Sequence, residues 1–117
     1  MGRLTTHVLD TALGRPAAGI SLSLYRLTDT ARNLVCQKIT NSDGRCDGPL
    51  AEGGSFVPGI YELEFAAGAY FKAVGVGQPA GQFLDQVVLR FVIDQGDQHY
   101  HVPLLLAPYG YSTYRGS

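Results

Sequence analysis

Short stretches of alternating apolar and polar residues run along most of the chain, and this alternation is typical of half-buried β-strands. Residues 20–27 give the clearest case, because the apolar residues at 20, 22 and 24 share one face and the serines at 21 and 23 the other. The same reasoning predicts further strands at residues 5–9, 34–40, 45–50, 60–66, 87–93, 99–106 and 111–114.

Turn signals rich in glycine and proline separate these strands at intervals of about eight to twelve residues, the spacing of an all-β sandwich. The pair Asp43-Gly44 is a strong hairpin signal, and it predicts that the strands on either side of it pair with each other. Residues 69–74 lack the alternation and are predicted to form a short helix, and residues 75–82 are predicted to form a glycine-rich loop. Seven or eight short strands with one short helix therefore indicate an all-β sandwich of two sheets.

The composition narrows the classes of protein that fit this pattern. The chain has 117 residues, 45% hydrophobic and 16% charged, so residues 1–117 are expected to form a single domain. A formal net charge of −1 provides no basic surface for nucleic acid or for an anionic membrane, and no apolar run approaches the roughly 18 residues of a transmembrane helix. The N-terminal residues lack the apolar run of a secretory signal, so a cytoplasmic location is expected.

Two cysteines, Cys36 and Cys46, flank the predicted Asp43-Gly44 turn. A disulfide between them is compatible with this spacing, although two reduced thiols are favoured in a chain without a secretory signal. They have no neighbouring histidine and therefore do not match a zinc-site spacing.

Three histidines are candidates for acid–base chemistry, because imidazole titrates near neutral pH. His99 and His101 have the same parity and should point to one face of a strand, whereas His7 lies in the first predicted strand. Pro103 cannot donate a hydrogen bond to a sheet, so this last long strand is expected to contain an edge or an irregularity. A lone histidine is most often a structural or surface residue, and only the fold can bring these three together.

Two arginines can likewise be interpreted either as structural residues or as functional ones. Arg45 follows the predicted turn directly, and Arg115 is the third residue from the end, two positions before Ser117. Each is either a solvated surface residue or a planar set of donors that binds carbonyl groups or an anion.

Several of these segments resemble the family of 5-hydroxyisourate hydrolases, also called transthyretin-related proteins. The most specific are HYHVPLLL at residues 99–106 and YSTYRGS at residues 111–117. Weaker similarity extends over nearly the whole chain, through LTTHVLD at 4–10, GRPA at 14–17, NSDGR at 41–45, GIYEL at 59–63 and YFK at 70–72. The family usually has a Phe-Pro pair after the helix, but this chain reads Phe83-Leu84 there, which puts the local loop geometry in doubt more than the activity.

The resemblance implies a transthyretin-like sandwich of Greek-key type, assembled as a homotetramer (a dimer of dimers) with its active sites at the dimer–dimer interface. It implies that the lactam ring of 5-hydroxyisourate is opened to 2-oxo-4-hydroxy-4-carboxy-5-ureidoimidazoline, in the degradation of urate to allantoin, without a cofactor. Carried over by motif, the catalytic residues are His7, Arg45, His101 and Ser117. The expected substrate-binding residues are Arg45, Tyr114, Arg115, Gly116 and Ser117.

For such a reaction, a histidine would activate water and Arg45 would stabilise the developing oxyanion. The Ser117 hydroxyl or the terminal carboxylate would orient the histidine or the water. Which histidine is the base stays open, and a Ser117 nucleophile or a zinc ion held by histidines are competing mechanisms.

The resemblance also leaves a different function open. Transthyretin shares the fold and carries hydrophobic hormones in its central channel, so a small-ligand carrier without catalysis is the main alternative, and a structural protein is a third. Transthyretin lacks this polar set of histidines, arginine and tail, which favours the hydrolase.

Overall fold

This computed structural model describes residues 2–76 and 81–117, in which eleven strands, one α-helix and one short 3-10 turn are found. In chain order the elements are β1 (Arg3–Thr5), β2 (Val8–Asp10), β3 (Arg15–Pro16), β4 (Ser21–Leu27), β5 (Arg32–Ile39), β6 (Ala51–Glu52), the 3-10 turn (Gly53–Ser55), β7 (Gly59–Ala66), α1 (Ala67–Val74), β8 (Gln86–Ile93), β9 (His99–His101), β10 (Leu104–Ala107) and β11 (Gly110–Thr113).

One layer of the fold is an antiparallel sheet with the strand order β5-β4-β7-β8. The alternation in residues 20–27 places Leu22 and Leu24 on its buried face, where they pair with Phe65 and Leu63 of β7. This strand and its inward face are as predicted from the sequence.

The other layer contains two parallel strand pairs that continue each other. β1 pairs with β9 and β2 pairs with β10, with the same residue offset in both. The ladder is interrupted at Pro103, which has no N–H to donate. Hydrogen bonds from Val102 N to Thr5 O (2.9 Å) and from Leu104 N to His7 O (2.9 Å) join the two halves. The predicted strands 5–9 and 99–106 are therefore each divided in two, as the proline indicated.

The hydrophobic core draws on both layers and on α1. Leu4, Val8 and Leu104 contribute from the parallel strands, and Phe71 contributes from the helix, all of them fully buried. The helix begins two residues earlier than predicted and ends at Val74 as predicted, followed by the capping residue Gly75 in the left-handed conformation (φ 75°). These features confirm the all-β, two-layer prediction with one short helix.

The predicted hairpin around Asp43-Gly44 is wrong, although its turn is present. Gly44 N donates to Asn41 O (2.9 Å), yet within the described ranges β5 pairs with β4 alone and residues 45–50 form no strand. Gly48 has a positive φ (89°) and Pro49 lacks a donor, so this segment cannot continue a ladder. Instead it crosses to the other layer, where Leu50 N donates to Leu4 O (2.7 Å).

Three smaller expectations concern the remaining segments. The predicted final strand at 111–114 is β11, one residue earlier, and both cysteines are free thiols in the structure. The central part of the predicted loop, residues 77–80, lies outside the described residues. Within the described part of the chain, no helix is long and apolar enough to cross a bilayer.

Candidate active site

The parallel pairing of β1 with β9 gathers polar side chains on the face of the layer that points away from the core. Arg3 is aligned with His99 and Thr5 with His101, and aligned residues of a parallel pair project to the same side. The intervening residues Leu4 and Tyr100 are buried. Strand periodicity thus separates the chemistry from the core.

These side chains line an open cleft of about 420 Å³. The rest of its wall is formed by the loop after the Asn41–Arg45 turn and by the end of the chain. The polar residues that line it include Arg3, Thr5, Arg45, His99, His101 and Ser117. Two arginines contribute to the lining and no carboxylate side chain of the described residues does, so the cleft favours an anionic or carbonyl-rich ligand.

His101 has the properties of a general base. Its Nδ1 lies 2.9 Å from Thr5 Oγ1. Partial burial lowers the pKa of the imidazole below its ordinary value, and the positive charge of Arg45 and the neighbouring His7 and His99 lower this pKa further. His101 is therefore neutral at neutral pH and able to accept a proton.

The turn that carries Arg45 is held against the start of β2. His7 and Arg45 form an isolated antiparallel bridge, and Val8 N donates to Gly44 O (2.8 Å). Gly44 has a φ of 76°, and a Cβ there would collide with the carbonyl oxygen of Val8, so only glycine fits. These contacts explain how Arg45 reaches a cleft made by strands that are distant in sequence.

The side chains of this pair differ in their bonding. His7 Nε2 donates to Asp43 O (2.8 Å), and because a carbonyl oxygen only accepts, the His7 proton resides on Nε2. Arg45 is exposed, and its guanidinium makes no side-chain hydrogen bond or ion pair to any group in residues 2–76 and 81–117. Its donors are available to a ligand in the cleft.

The last two residues pass directly beside His101. Gly116 and His101 form a bridge, in which Gly116 N donates to His101 O (2.6 Å) and His101 N donates to Gly116 O (3.2 Å). A Cβ at Gly116 would lie 3.3 Å from His101 Cβ, which is closer than side chains normally pack, so glycine permits this approach. Ser117 then lines the cleft.

The two preceding residues of the tail lie elsewhere in the subunit. Arg115 donates to Gln98 Oε1 (3.0 Å) and His99 O (3.2 Å), and its guanidinium lies 4.2 Å from the centre of the Tyr100 ring. Tyr114 and Arg115 line a second groove of about 390 Å³ beside β8. The structure therefore brings Arg45, His101, Gly116 and Ser117 together with His7 at the margin, and places Tyr114 and Arg115 on the opposite side of β9.

Sequence reasoning missed Thr5, whose hydroxyl lies between His99 Nε2 and His101 Nδ1 at 2.9 Å from each. The sequence predicts that Thr5 and His7 project to the same side of a strand. The alignment of Thr5 with His101, however, depends on a parallel pairing between segments near the two ends of the chain. In residues 2–76 and 81–117, no group of three histidine, cysteine or acidic side chains is placed to hold a metal ion.

Comparison with known proteins places this geometry in a family. A curated protein of Rhizobium meliloti (strain 1021), named 5-hydroxyisourate hydrolase 2, is 65% identical over 116 residues, covering 99% of this chain and 97% of that protein. The structure of Klebsiella pneumoniae 5-hydroxyisourate hydrolase superposes with a TM-score of 0.82 at 34% identity, over the full length of both chains.

A crystal structure of (S)-allantoin synthase gives a TM-score of 0.94 at 48% identity, and the match covers 99% of this chain but only 44% of that longer one. A sequence model of the HIUase/Transthyretin family matches residues 4–116. This chain therefore belongs to the HIUase/Transthyretin family.

Proposed function

We propose that this protein hydrolyses 5-hydroxyisourate, opening the lactam ring to 2-oxo-4-hydroxy-4-carboxy-5-ureidoimidazoline in the degradation of urate to allantoin. The observation that carries the proposal is the cleft, where the imidazole of His101, with its lowered pKa, lies among the guanidinium of Arg45 and the hydroxyl of Ser117. The names of the Rhizobium meliloti and Klebsiella pneumoniae relatives support the same substrate.

In the proposed mechanism, water attacks the lactam carbonyl carbon while Nε2 of His101 accepts a proton from it. A base positioned in this way contributes about 10²–10⁴-fold to the rate. As the carbon–nitrogen bond breaks, the imidazolium returns the proton to the leaving nitrogen, so His101 ends the cycle neutral.

The other residues hold the substrate and stabilise charge. Arg45 donates to the carbonyl oxygen as it becomes an oxyanion, a role that suits a guanidinium that has no side-chain partner among the described residues. His7, whose Nε2 is bonded to Asp43 O, offers its Nδ1 to the substrate, and the Ser117 hydroxyl orients the water. Arg115 fixes the path of the tail, because it is anchored on Gln98 and His99, whereas Tyr114 lines the groove on the other side of β9.

We extend the proposal to the assembly and to the cell. The cleft is open to solvent in the single subunit, and enclosure by a second copy would exclude water from the charged groups and strengthen their interactions. We therefore place the sites at the dimer–dimer interface of a homotetramer of single-domain chains in the cytoplasm. Light scattering on the purified protein tests the tetramer, and cell fractionation tests the location.

A carrier function is the competing interpretation, and the lining of the cleft argues against it. An apolar hormone requires an apolar channel, whereas two arginines and two histidines line this cleft. In a carrier, this combination would leave buried donors without partners on ligand binding.

The first test is an ultraviolet time course in which urate oxidase generates 5-hydroxyisourate from urate and its decay is followed with and without this protein. A variant truncated after Thr113 removes the tail, and Tyr114→Ala is the matched control that alters only the groove side. We expect acceleration by the wild type and by Tyr114→Ala, and none by the truncation. Acceleration by all three would remove the tail from the mechanism, and no acceleration by the folded wild type would favour the carrier.

A further inference from the structure

We propose that Thr5 is a positioning residue that fixes the protonation pattern of His101. Its hydroxyl joins His101 to His99 in a directional hydrogen-bond chain, which leaves Nε2 of His101 unprotonated towards water. This inference rests on the proposed function, because it assigns His101 the role of general base.

The geometry of the three residues defines the chain. Thr5 Oγ1 lies 2.9 Å from His101 Nδ1 and 2.9 Å from His99 Nε2, and the two imidazole rings are 6.5 Å apart between centres. A threonine hydroxyl has a single proton to donate and lone pairs to accept. It therefore donates to one ring nitrogen and accepts from the other, so the two imidazoles must adopt complementary protonation patterns.

The direction of the chain follows from the chemistry required of His101. A neutral imidazole that accepts a proton at Nε2 holds its own proton on Nδ1, and that Nδ1–H donates to Thr5 Oγ1. The hydroxyl proton then points to His99 Nε2, which must be unprotonated, so neutral His99 holds its proton on Nδ1. Within residues 2–76 and 81–117, no group makes a hydrogen bond to His101 Nε2.

The backbone holds all three residues in one rigid arrangement. Thr5 is aligned with His101 in the parallel ladder and accepts from Val102 N (2.9 Å) through its carbonyl. On the opposite side, Gly116 bonds both backbone groups of His101. A β-branched side chain has few χ1 states, so Thr5 holds its hydroxyl in place at a low entropic cost.

The proton balance of the chain is simple. When His101 accepts a proton at Nε2, the resulting imidazolium keeps its Nδ1–H bond to Thr5, and this bond becomes charge-assisted and stronger. Thr5 stays neutral and His99 neither gains nor loses a proton. The acquired proton leaves from Nε2 to the departing nitrogen, so the chain ends in the pattern with which it began.

Kinetics on three variants tests the role of the hydroxyl. Thr5→Val keeps the shape of the side chain and removes the hydroxyl. We expect kcat to fall about 10- to 100-fold, less than the 10²–10⁴-fold that the base itself contributes, with KM little changed. Thr5→Ser retains the hydroxyl and should restore most of the lost kcat. Thr11→Val is the matched control, since it removes another threonine hydroxyl bond, to Leu106 O (3.1 Å), remote from the cleft, and should leave kcat unchanged.

Retention of wild-type kcat in Thr5→Val would overturn the proposal, and so would an equal loss in Thr5→Ser and Thr5→Val. Thermal melting of each variant separates these results from misfolding. A variant Thr5→Val that melts like the wild type but has lost kcat supports the positioning role.

Long-range proton–nitrogen NMR of the substrate-free protein tests the direction of the chain without reference to any activity. We expect neutral His101 to be protonated on Nδ1 and neutral His99 on Nδ1, and we expect this preference at His101 to be lost in Thr5→Val and kept in Thr5→Ser. A proton on Nε2 of His101 in the wild type would overturn the proposal. Failure of the proposed function would appear separately, as an inactive wild type whose histidines still show this pattern.

Discussion

Strand β9 separates two cavities of similar size and opposite character. His99 and His101 contribute to the lining of the cleft of about 420 Å³. Tyr100, and Val102 just after the end of β9, contribute to the lining of the groove of about 390 Å³. Adjacent residues in the sequence thus serve opposite surfaces, because side chains alternate across a strand. Position on the strand, rather than proximity in sequence, therefore decides which residues serve chemistry and which serve structure.

Polar atoms on the two sides of β9 also differ in whether their hydrogen-bond partners lie within the described residues. On the groove side, the Tyr100 hydroxyl donates to Asp94 Oδ1 (2.7 Å) and accepts from Gln95 N (3.1 Å), and Arg115 is anchored by two hydrogen bonds. On the cleft side, Arg45 and His101 Nε2 have no such partner among the described residues. Satisfied groups stabilise the fold, and groups that retain bonding capacity can act on a ligand.

The strongest test of this contrast is His101→Ala. Removal of the proposed base should lower kcat on the order of 10²–10⁴-fold, with little change in thermal stability because the side chain is only partly buried. Decay of 5-hydroxyisourate in the ultraviolet gives kcat, and melting curves report the fold. Near-normal turnover in a folded protein would remove His101 from the mechanism.

The second largest effect is expected for Arg45→Gln, which keeps a donor but removes the charge and the planar set of donors. Loss of one oxyanion donor typically costs about 10²–10³-fold in kcat, and an effect near the lower end is expected because the amide retains one donor group. Steady-state kinetics measures it, with Arg90→Gln on the groove side as the matched control. Equal losses in both variants would contradict the division into cleft and groove.

The pH dependence of kcat/KM, which reports the ionisation of the free enzyme, extends the contrast further. Burial and the charge of Arg45 lower the pKa of His101, so activity should persist as pH falls and be lost only as pH falls through that lowered value, where His101 becomes protonated. In Arg45→Gln the charge that lowers this pKa is gone, so the acidic limb should move to higher pH. A limb that stays in place in this variant would show that a different group is being titrated.

The smallest effect on activity is expected from Tyr100→Phe, on the other side of the same strand. It removes a hydroxyl bonded to Asp94 and Gln95 next to the two histidines in sequence, and should cost about 1–3 kcal/mol of stability because backbone donors lose their acceptor. Chemical denaturation measures this loss, and kcat should be unchanged. A large fall in kcat would show that the groove side takes part in catalysis.

Much of the fold followed from local pattern. The alternation at residues 20–27 placed Leu22 and Leu24 in the core, and Pro103 marked the interruption of the last long strand. The hairpin at Asp43-Gly44 failed because the turn residues specify only the turn, while Gly48 and Pro49 prevent the following segment from pairing with β5. A short turn signal cannot determine to which layer the chain returns.

The candidate site shows the same limit. His7, Arg45, His101 and Ser117 could be named from motifs, but nothing local separated Gly116 and Ser117 from Tyr114 and Arg115, which lie on the other side of β9. Thr5 carries no motif signal of its own for a role beside His101, since its alignment depends on the register of a parallel pair. Motifs identify residue types, and the register decides which of them meet.

Strand periodicity, turns and the available chemical groups could be predicted from the local sequence, because they depend on side-chain alternation and on the backbone limits of glycine and proline. The tertiary structure alone decided that residues near both ends of the chain and a loop in its middle form one cleft. The physical reason is that parallel pairing of β1 with β9 and the bridges of His7 with Arg45 and of His101 with Gly116 are non-local hydrogen bonds, whose partners no local pattern encodes.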